Sequence, residues 1–288
     1  MIAHVAQAGE DKGRVVVRLG AFAPSSLAVI TAAVHVAKAF QSEIEGLFIE
    51  DPELAAAAAL GSIREIACAG AARRTLSPAG IARDTGFFAL AVQRQLAQAV
   101  SNAGITLSAQ NVRDELVAAL QAACSERGPW NIIVFAEPLT PGRASDGLTA
   151  AFEKVWGTTG YVAAAPNAAW RKGPIVVAVE DTDRLAGMVR AAERLAAVAG
   201  DEVWLMPVGE DDIALDWLES EIRLTLGETP VLKIMPRPEH AGCQQVSLAT
   251  LTRCTPRMVV ARYGGVMLPA KKLALALADA GCPCFLVH

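Results

Sequence analysis

The sequence predicts an α/β protein made of two tandem five-stranded domains, each a parallel sheet with helices on its faces, and three observations carry that reading. The first is the stretch from Gly173 to Val208. An apolar run, Ile175-Val176-Val177-Ala178-Val179, stops at Glu180-Asp181-Thr182-Asp183, and a helical stripe of Leu185, Met188, Val189, Ala192, Leu195, Ala196 and Ala199 then leads through Gly200 to a second apolar run, Val203-Trp204-Leu205-Met206. A helix joining two short buried runs is the pattern of parallel strands with a crossover. The second observation is that the chain opens with the same order, Arg14 to Leu19, then Leu27, Ile30, Val34 and Ala37 on one helical stripe, then Gly46 to Ile49. The third is length: 288 residues exceed the usual single domain, so two units of about 140 residues are expected.

After the second strand, Glu50-Asp51-Pro52 ends the ladder, because proline cannot donate to it. From Asp51 to Asp84 periodicity is poor, and Gly61, Gly70, Pro78 and Gly80 punctuate an irregular excursion with one short alanine-rich helix. Leaving from a strand end, this segment is expected to fold over the carboxyl ends of the first domain's strands. Helical spacing resumes from Phe87 to Ala103, followed by a strand beginning at Ile105, a helix from Asp114 to about Cys124, a buried strand from Asn131 to Ala136, a helix from Asp146 to Trp156, and a strand from Tyr161 to Ala165. Beyond the linker 167–172, a helix from Asp211 to Leu226, a strand from Val231 to Met235, a weak helix from Cys243 to Arg253, a strand from Met258 to Ala261, a helix from Pro269 to Ala280 and a strand from Cys284 to Val287 complete the second pass. The expected domains are residues 1–166, with the excursion at 51–84, and residues 173–288. A fifth strand at a sheet margin leaves backbone groups unpaired, so Tyr161 to Ala165 and Phe285 to Val287 are expected to meet at the interdomain contact, forming an intramolecular pseudo-dimer.

With 53% hydrophobic and 19% charged residues the chain can bury a large core and is not of a disordered class. The net charge of -4 argues against nucleic acid or an anionic membrane as the main partner. The first residues lack a basic start before an apolar core, and no uncharged run is long and unbroken enough to span a bilayer, so a cytoplasmic protein without membrane contact is expected. The six cysteines are scattered along a long chain, which favours free thiols.

The ends of the repeated elements resemble a known family. Ile175 to Thr182 looks like the opening strand of the universal stress proteins, Ala280-Gly281-Cys282-Pro283-Cys284-Phe285-Leu286-Val287 resembles their last turn and strand, and Gly147 to Ala165 is similar to the corresponding helix and strand of a first copy. The resemblance covers nearly the whole chain as a tandem pair, and it implies Rossmann-like five-stranded domains whose last strands pair between domains. It also implies an acidic residue at the end of the first strand and, after the fourth, a glycine-rich loop that cradles nucleotide phosphates. Neither half keeps that loop. In the first, Gly20 stands where the carboxylate is expected, and Ala136-Glu137-Pro138-Leu139-Thr140-Pro141-Gly142 brings two prolines and an acid. In the second, Glu180 or Asp181 supplies the acid, and Arg262, Gly264 and Gly265 stand in the loop without the later Gly-Ser, so these five residues are the candidate ligand site.

Two function classes follow. One is a non-enzymatic stress-response or regulatory protein acting through protein contacts and a small ligand; the other is an adenine-nucleotide-binding protein, for ATP or AMP with slow hydrolysis, using the second domain. No catalytic residue and no metal site is expected. Cys282-x-Cys284 with His288 lacks the paired spacing of zinc modules, and His4, His35, His240 and His288 have no serine and aspartate grouping beside them. His35 falls among apolar neighbours on a helix, where a satisfied packing role is expected. Arg64, Arg73, Arg74 and Arg83 could offer an anion site, but a solvated surface is the plainer reading. The physiological partner and self-association beyond the intramolecular pair are left open by the sequence.

Overall fold

The computed structural model describes residues 13–19, 26–50, 56, 58–60, 64–66, 73–75, 77–125, 131–136, 160–164, 170–209, 211–227, 232–235 and 244–287. Twelve strands are present among them: β1 (Arg14–Leu19), β2 (Glu43–Glu50), β3 (Arg64–Ile66), β4 (Arg73–Thr75), β5 (Leu107–Arg113), β6 (Ile132–Ala136), β7 (Gly160–Ala164), β8 (Ile175–Val179), β9 (Val203–Pro207), β10 (Leu232–Ile234), β11 (Met258–Arg262) and β12 (Cys284–Val287). Ten of them form one sheet in the order β10-β9-β8-β11-β12-β7-β6-β1-β2-β5. In this sheet each half winds identically, with its first strand between its second and fourth, and every pairing of the sheet within a half is parallel. The α/β fold class and the two five-stranded parallel arrays are therefore as the sequence predicts.

The two arrays join where the fifth strands meet. Cys284 pairs with Ala163, Phe285 with Val162 and Leu286 with Tyr161, antiparallel, so each margin supplies the backbone partners the other lacks. Helices Ser26–Phe40 and Leu185–Ala197 pack against each other across this junction. Outside them on the same face lie Pro78–Ala103, against the first, and Asp212–Leu226, against the second. Helices Gln244–Cys254 and Leu273–Ala280 pack together in the second half. The core is continuous through both halves, from Val15, Val16 and Val17 on β1 to Val176 and Val177 on β8, all fully buried as central parallel strands require.

Several boundaries differ from the sequence reading. The helix expected from Phe87 begins at Pro78, and Pro78 and Gly80, read as interruptions, belong to its first turn. Ser77 accepts a hydrogen bond from the Gly80 N–H (3.1 Å), and proline at the first helical position gives up only a donor that has no intrahelical partner. Gly104, at φ +68°, ends the helix in the left-handed conformation that glycine adopts without a steric cost. Inside the excursion, β3 and β4 pair as an antiparallel hairpin with three residues on each side. The third strand starts at Leu107 rather than Ile105, and Ala270–Lys272 form a 3₁₀ turn before the last helix. The expected helix from Asp146 to Trp156 and most of the expected cover over the strand ends lie outside the described residues.

Candidate functional site

In the second half, β8 lies between β9 and β11, so successive connections leave it in opposite directions, and open α/β sheets hold ligands at the carboxyl ends of strands so placed. The five candidate residues converge there. Glu180 and Asp181 follow directly on β8, Arg262 ends β11, and residues 263–268 form the loop beyond it. That loop is tied down. The Tyr263 N–H donates to the Val287 carbonyl (2.9 Å), the Gly264 N–H donates to the Leu268 carbonyl (3.1 Å), and Met267 and Leu268 are fully buried. Gly264 has φ +74°, the left-handed region that a turn this tight exploits.

The loop amides stand at these strand ends, but their acceptor comes from the chain itself. The Val266 N–H donates to Glu180 Oε2 (2.8 Å) and the Met267 N–H to Glu180 Oε1 (2.9 Å). A Cβ on Gly265 would stand 2.0 Å from Glu180 Oε2, so only glycine lets the backbone come this close to the carboxylate. Beside it, Arg262 Nη1 donates to Asp181 Oδ2 (2.7 Å), a half-exposed pair worth about 0–1 kcal/mol. The two amides that could cradle a phosphate are thus holding a carboxylate, and the one cation of the cluster is engaged by the second acid. An incoming phosphate meets two negative charges before it meets a donor.

In the first half the corresponding positions, Gly20 and residues 137–142, lie outside the described residues. Two of the described cysteines, Cys124 and Cys284, are poor nucleophiles. Burial pushes the Cys124 thiol up to about 12, and the Cys284 thiol is raised by its hydrogen bond with Cys282 and by burial. Since the thiolate is the reactive form, both stay protonated at neutral pH. Among the described residues no group of three or more His, Cys, Asp and Glu side chains is placed to hold a metal ion.

A second cluster, at the junction of the halves, was not legible in the sequence as a unit. His35 Nε2 donates to the Leu195 carbonyl (2.8 Å), its ring meets Trp170 edge to face (5.0 Å between centroids, 65°), and the Arg257 guanidinium lies 5.5 Å from the Trp170 centroid. Arg257 in turn donates to both carboxylate oxygens of Asp201 (2.5 and 3.1 Å). Nearby, Phe40 stacks on Phe285 (5.7 Å) with Arg194 above it. His35 therefore fills the packing role expected of it, and it does so between the halves.

Burial holds His35 below its usual value of 6.5, aided by the charges of Arg257 and Lys38 and opposed by the Leu195 carbonyl and Asp201. A group with a lowered folded pKa binds fewer protons folded than unfolded, so its contribution is intact above about pH 6.5 and is lost as pH falls towards the folded value. Urea unfolding at about pH 7.5 and about pH 5.5 should show a loss of stability on acidification that is smaller in His35→Gln, whose amide keeps a donor but does not titrate. Equal losses in the two proteins would remove His35 from the pH response.

No protein-family model matches the chain, and no curated protein is a detectable relative in sequence. Solved structures do match over nearly its whole length. A universal stress protein from Archaeoglobus fulgidus DSM 4304 is 14% identical, with a TM-score of 0.57, covering 95% of this chain and 96% of that one. A protein assigned to the universal stress proteins from Pseudomonas aeruginosa UCBPP-PA14 is 15% identical, with a TM-score of 0.56, covering 95% and 92%. The cytoplasmic domain of a prokaryotic cation chloride cotransporter is 12% identical, with a TM-score of 0.53, covering 96% and 95%. The last shows that this architecture also occurs in a transporter's cytoplasmic portion, so architecture alone does not assign a role. No helix among the described residues is long and apolar enough to cross a membrane. With its two five-stranded arrays wound alike and joined through their last strands, this chain has the fold of the universal stress proteins, repeated in tandem.

Proposed function

We propose that this chain acts in stress response or regulation through protein contacts rather than through catalysis, and that its second half keeps its phosphate-facing amides closed to nucleotide. The observation that carries the reading is the pair of hydrogen bonds from Val266 and Met267 to Glu180. A bound nucleotide has to displace a carboxylate that is tethered to the sheet at β8 and already satisfies both donors. The two units that make the contact surface are residues 1–166 and 173–288, acting as an intramolecular pseudo-dimer in the cytoplasm. The second reading, an ATP or AMP site bounded by Glu180, Asp181, Arg262, Gly264 and Gly265, has one observation in its favour: the cluster stands at the carboxyl ends of the strands, where open α/β sheets hold ligands.

Titration calorimetry with ATP and with AMP separates the two. The expected result is no binding tighter than about 100 μM for either. Sub-micromolar binding by the unmodified chain would overturn the reading and install the nucleotide-binding one. Mass spectrometry of any small molecule that survives purification checks the same point without a choice of ligand.

A further inference from the structure

The helix Asp212–Leu226 is set firmly at both ends. The Asp211 carboxylate accepts from the Ala214 N–H (2.7 Å) and Gly227 follows the last turn at φ +63°. Leu215, Leu218 and Ile222 bury one face against the sheet and the neighbouring helix. On the diametrically opposite face stand Ile213, Trp217 and Leu224, exposed to 79%, 57% and 78%, with the small Ser220 completing a spacing of four, three and four residues. Large apolar groups scattered singly on a surface need no explanation; three on one seam of one rigid helix do. The borders of the seam are acidic. Asp212 and Asp216 lie along one side with Arg223, and Glu221 lies on the other.

From this arrangement we propose that the seam Ile213-Trp217-Ser220-Leu224 docks a basic amphipathic helix of a partner protein. The inference rests on the protein-contact reading above and gives that contact a place and a chemistry. An apolar seam with three carboxylates and one guanidinium around it complements a helix with its own apolar stripe bordered by Lys and Arg. Trp217 at the centre of the seam is the anchor, as a tryptophan at the middle of a small interface is apt to be. One helix lying on another buries little area, so the contact is a transient one.

The test uses the full chain and a fluorescein-labelled peptide of about 18 residues with leucines at helical spacing and lysines elsewhere, followed by fluorescence anisotropy. The expected result is saturable binding that Trp217→Ala and Leu224→Ser each weaken by about tenfold, while the same peptide with glutamates for lysines binds at least about tenfold more weakly. Exposed substitutions of this kind leave the melting temperature nearly unchanged, which is checked in parallel. Binding that is indifferent to both substitutions overturns the proposal. So does a wild-type dimer in sedimentation that Trp217→Ala converts to monomer, since that gives the seam to a second copy. A failed peptide test with no ATP binding removes this surface and leaves the protein-contact reading standing, whereas tight ATP binding removes that reading itself.

Discussion

Replacing Arg14 with leucine is expected to lower the unfolding free energy by about 3–5 kcal/mol, the range found when one partner of a buried ion pair is removed. Arg14 begins β1 and its guanidinium pairs with the Glu45 carboxylate on β2, the two side chains being only 7% and 1% exposed. The same guanidinium donates to the Ala123 carbonyl in the last turn of helix Leu116–Ser125, and Asn131, next to β6, donates through Nδ2 to the Cys124 carbonyl (2.8 Å). Two side chains thus satisfy carbonyls that a helix end leaves without intrahelical partners, while the helix dipole favours the cation there. In Arg14→Leu, the Glu45 charge keeps its burial and loses the Arg14 guanidinium, and Ala123 loses a donor. The double variant Arg14→Leu/Glu45→Leu is expected to recover most of the loss, with about 1 kcal/mol outstanding for the carbonyl. Chemical denaturation at neutral pH decides it. A loss below about 1 kcal/mol in the single variant, or a double variant no better than the single, would mean that the pair is not held as a buried charge pair.

This cluster also marks where the sequence stops being informative. Arg14 and Glu45 stand far apart in the chain, and nothing in a β-strand pattern says that a charged residue at a strand start points inward and finds its partner on the neighbouring strand. By contrast, β8, β9 and the helix between them were legible because alternation of period has a direct physical meaning: apolar groups at helical spacing have to face the sheet. The meeting of β7 with β12 was legible for a different reason, the need of an edge for a partner. Pro78 reads as a break in the sequence, whereas after the capping Ser77 it starts a helix. The strands Arg64–Ile66 and Arg73–Thr75 are too short for a period to show. At the candidate site, position in the fold was readable from strand ends, so Glu180, Asp181, Arg262, Gly264 and Gly265 were grouped. What was not readable is that the loop amides take the Glu180 carboxylate as their own ligand, because residue types and spacing do not say which atoms face one another.

Removing the Glu180 carboxylate is therefore expected to open what it closes. In Glu180→Ala the Val266 and Met267 amides lose an ionised acceptor, a change of roughly 1.5–3 kcal/mol per hydrogen bond where water cannot replace it. Val266 is exposed and its amide is rehydrated, so the net loss of stability is expected near the Met267 share alone, about 2 kcal/mol. The functional effect runs the other way. With one negative charge gone and two amides released beside Arg262, ATP should bind with a Kd below about 100 μM, tighter than any binding expected of the parent chain. Glu180→Gln should fall between them, since its amide oxygen can accept from one loop N–H while its NH₂ group confronts the other. Gly265→Ala gives an independent route to the same state, because the added Cβ would stand 2.0 Å from Oε2 and the flexible Glu180 side chain is the group that can yield. If calorimetry finds ATP binding in neither Glu180→Ala nor Gly265→Ala, while both remain folded, the carboxylate is not what keeps nucleotide out. The loop would then be a closed turn whose amides are held too close to the backbone for a phosphate to enter.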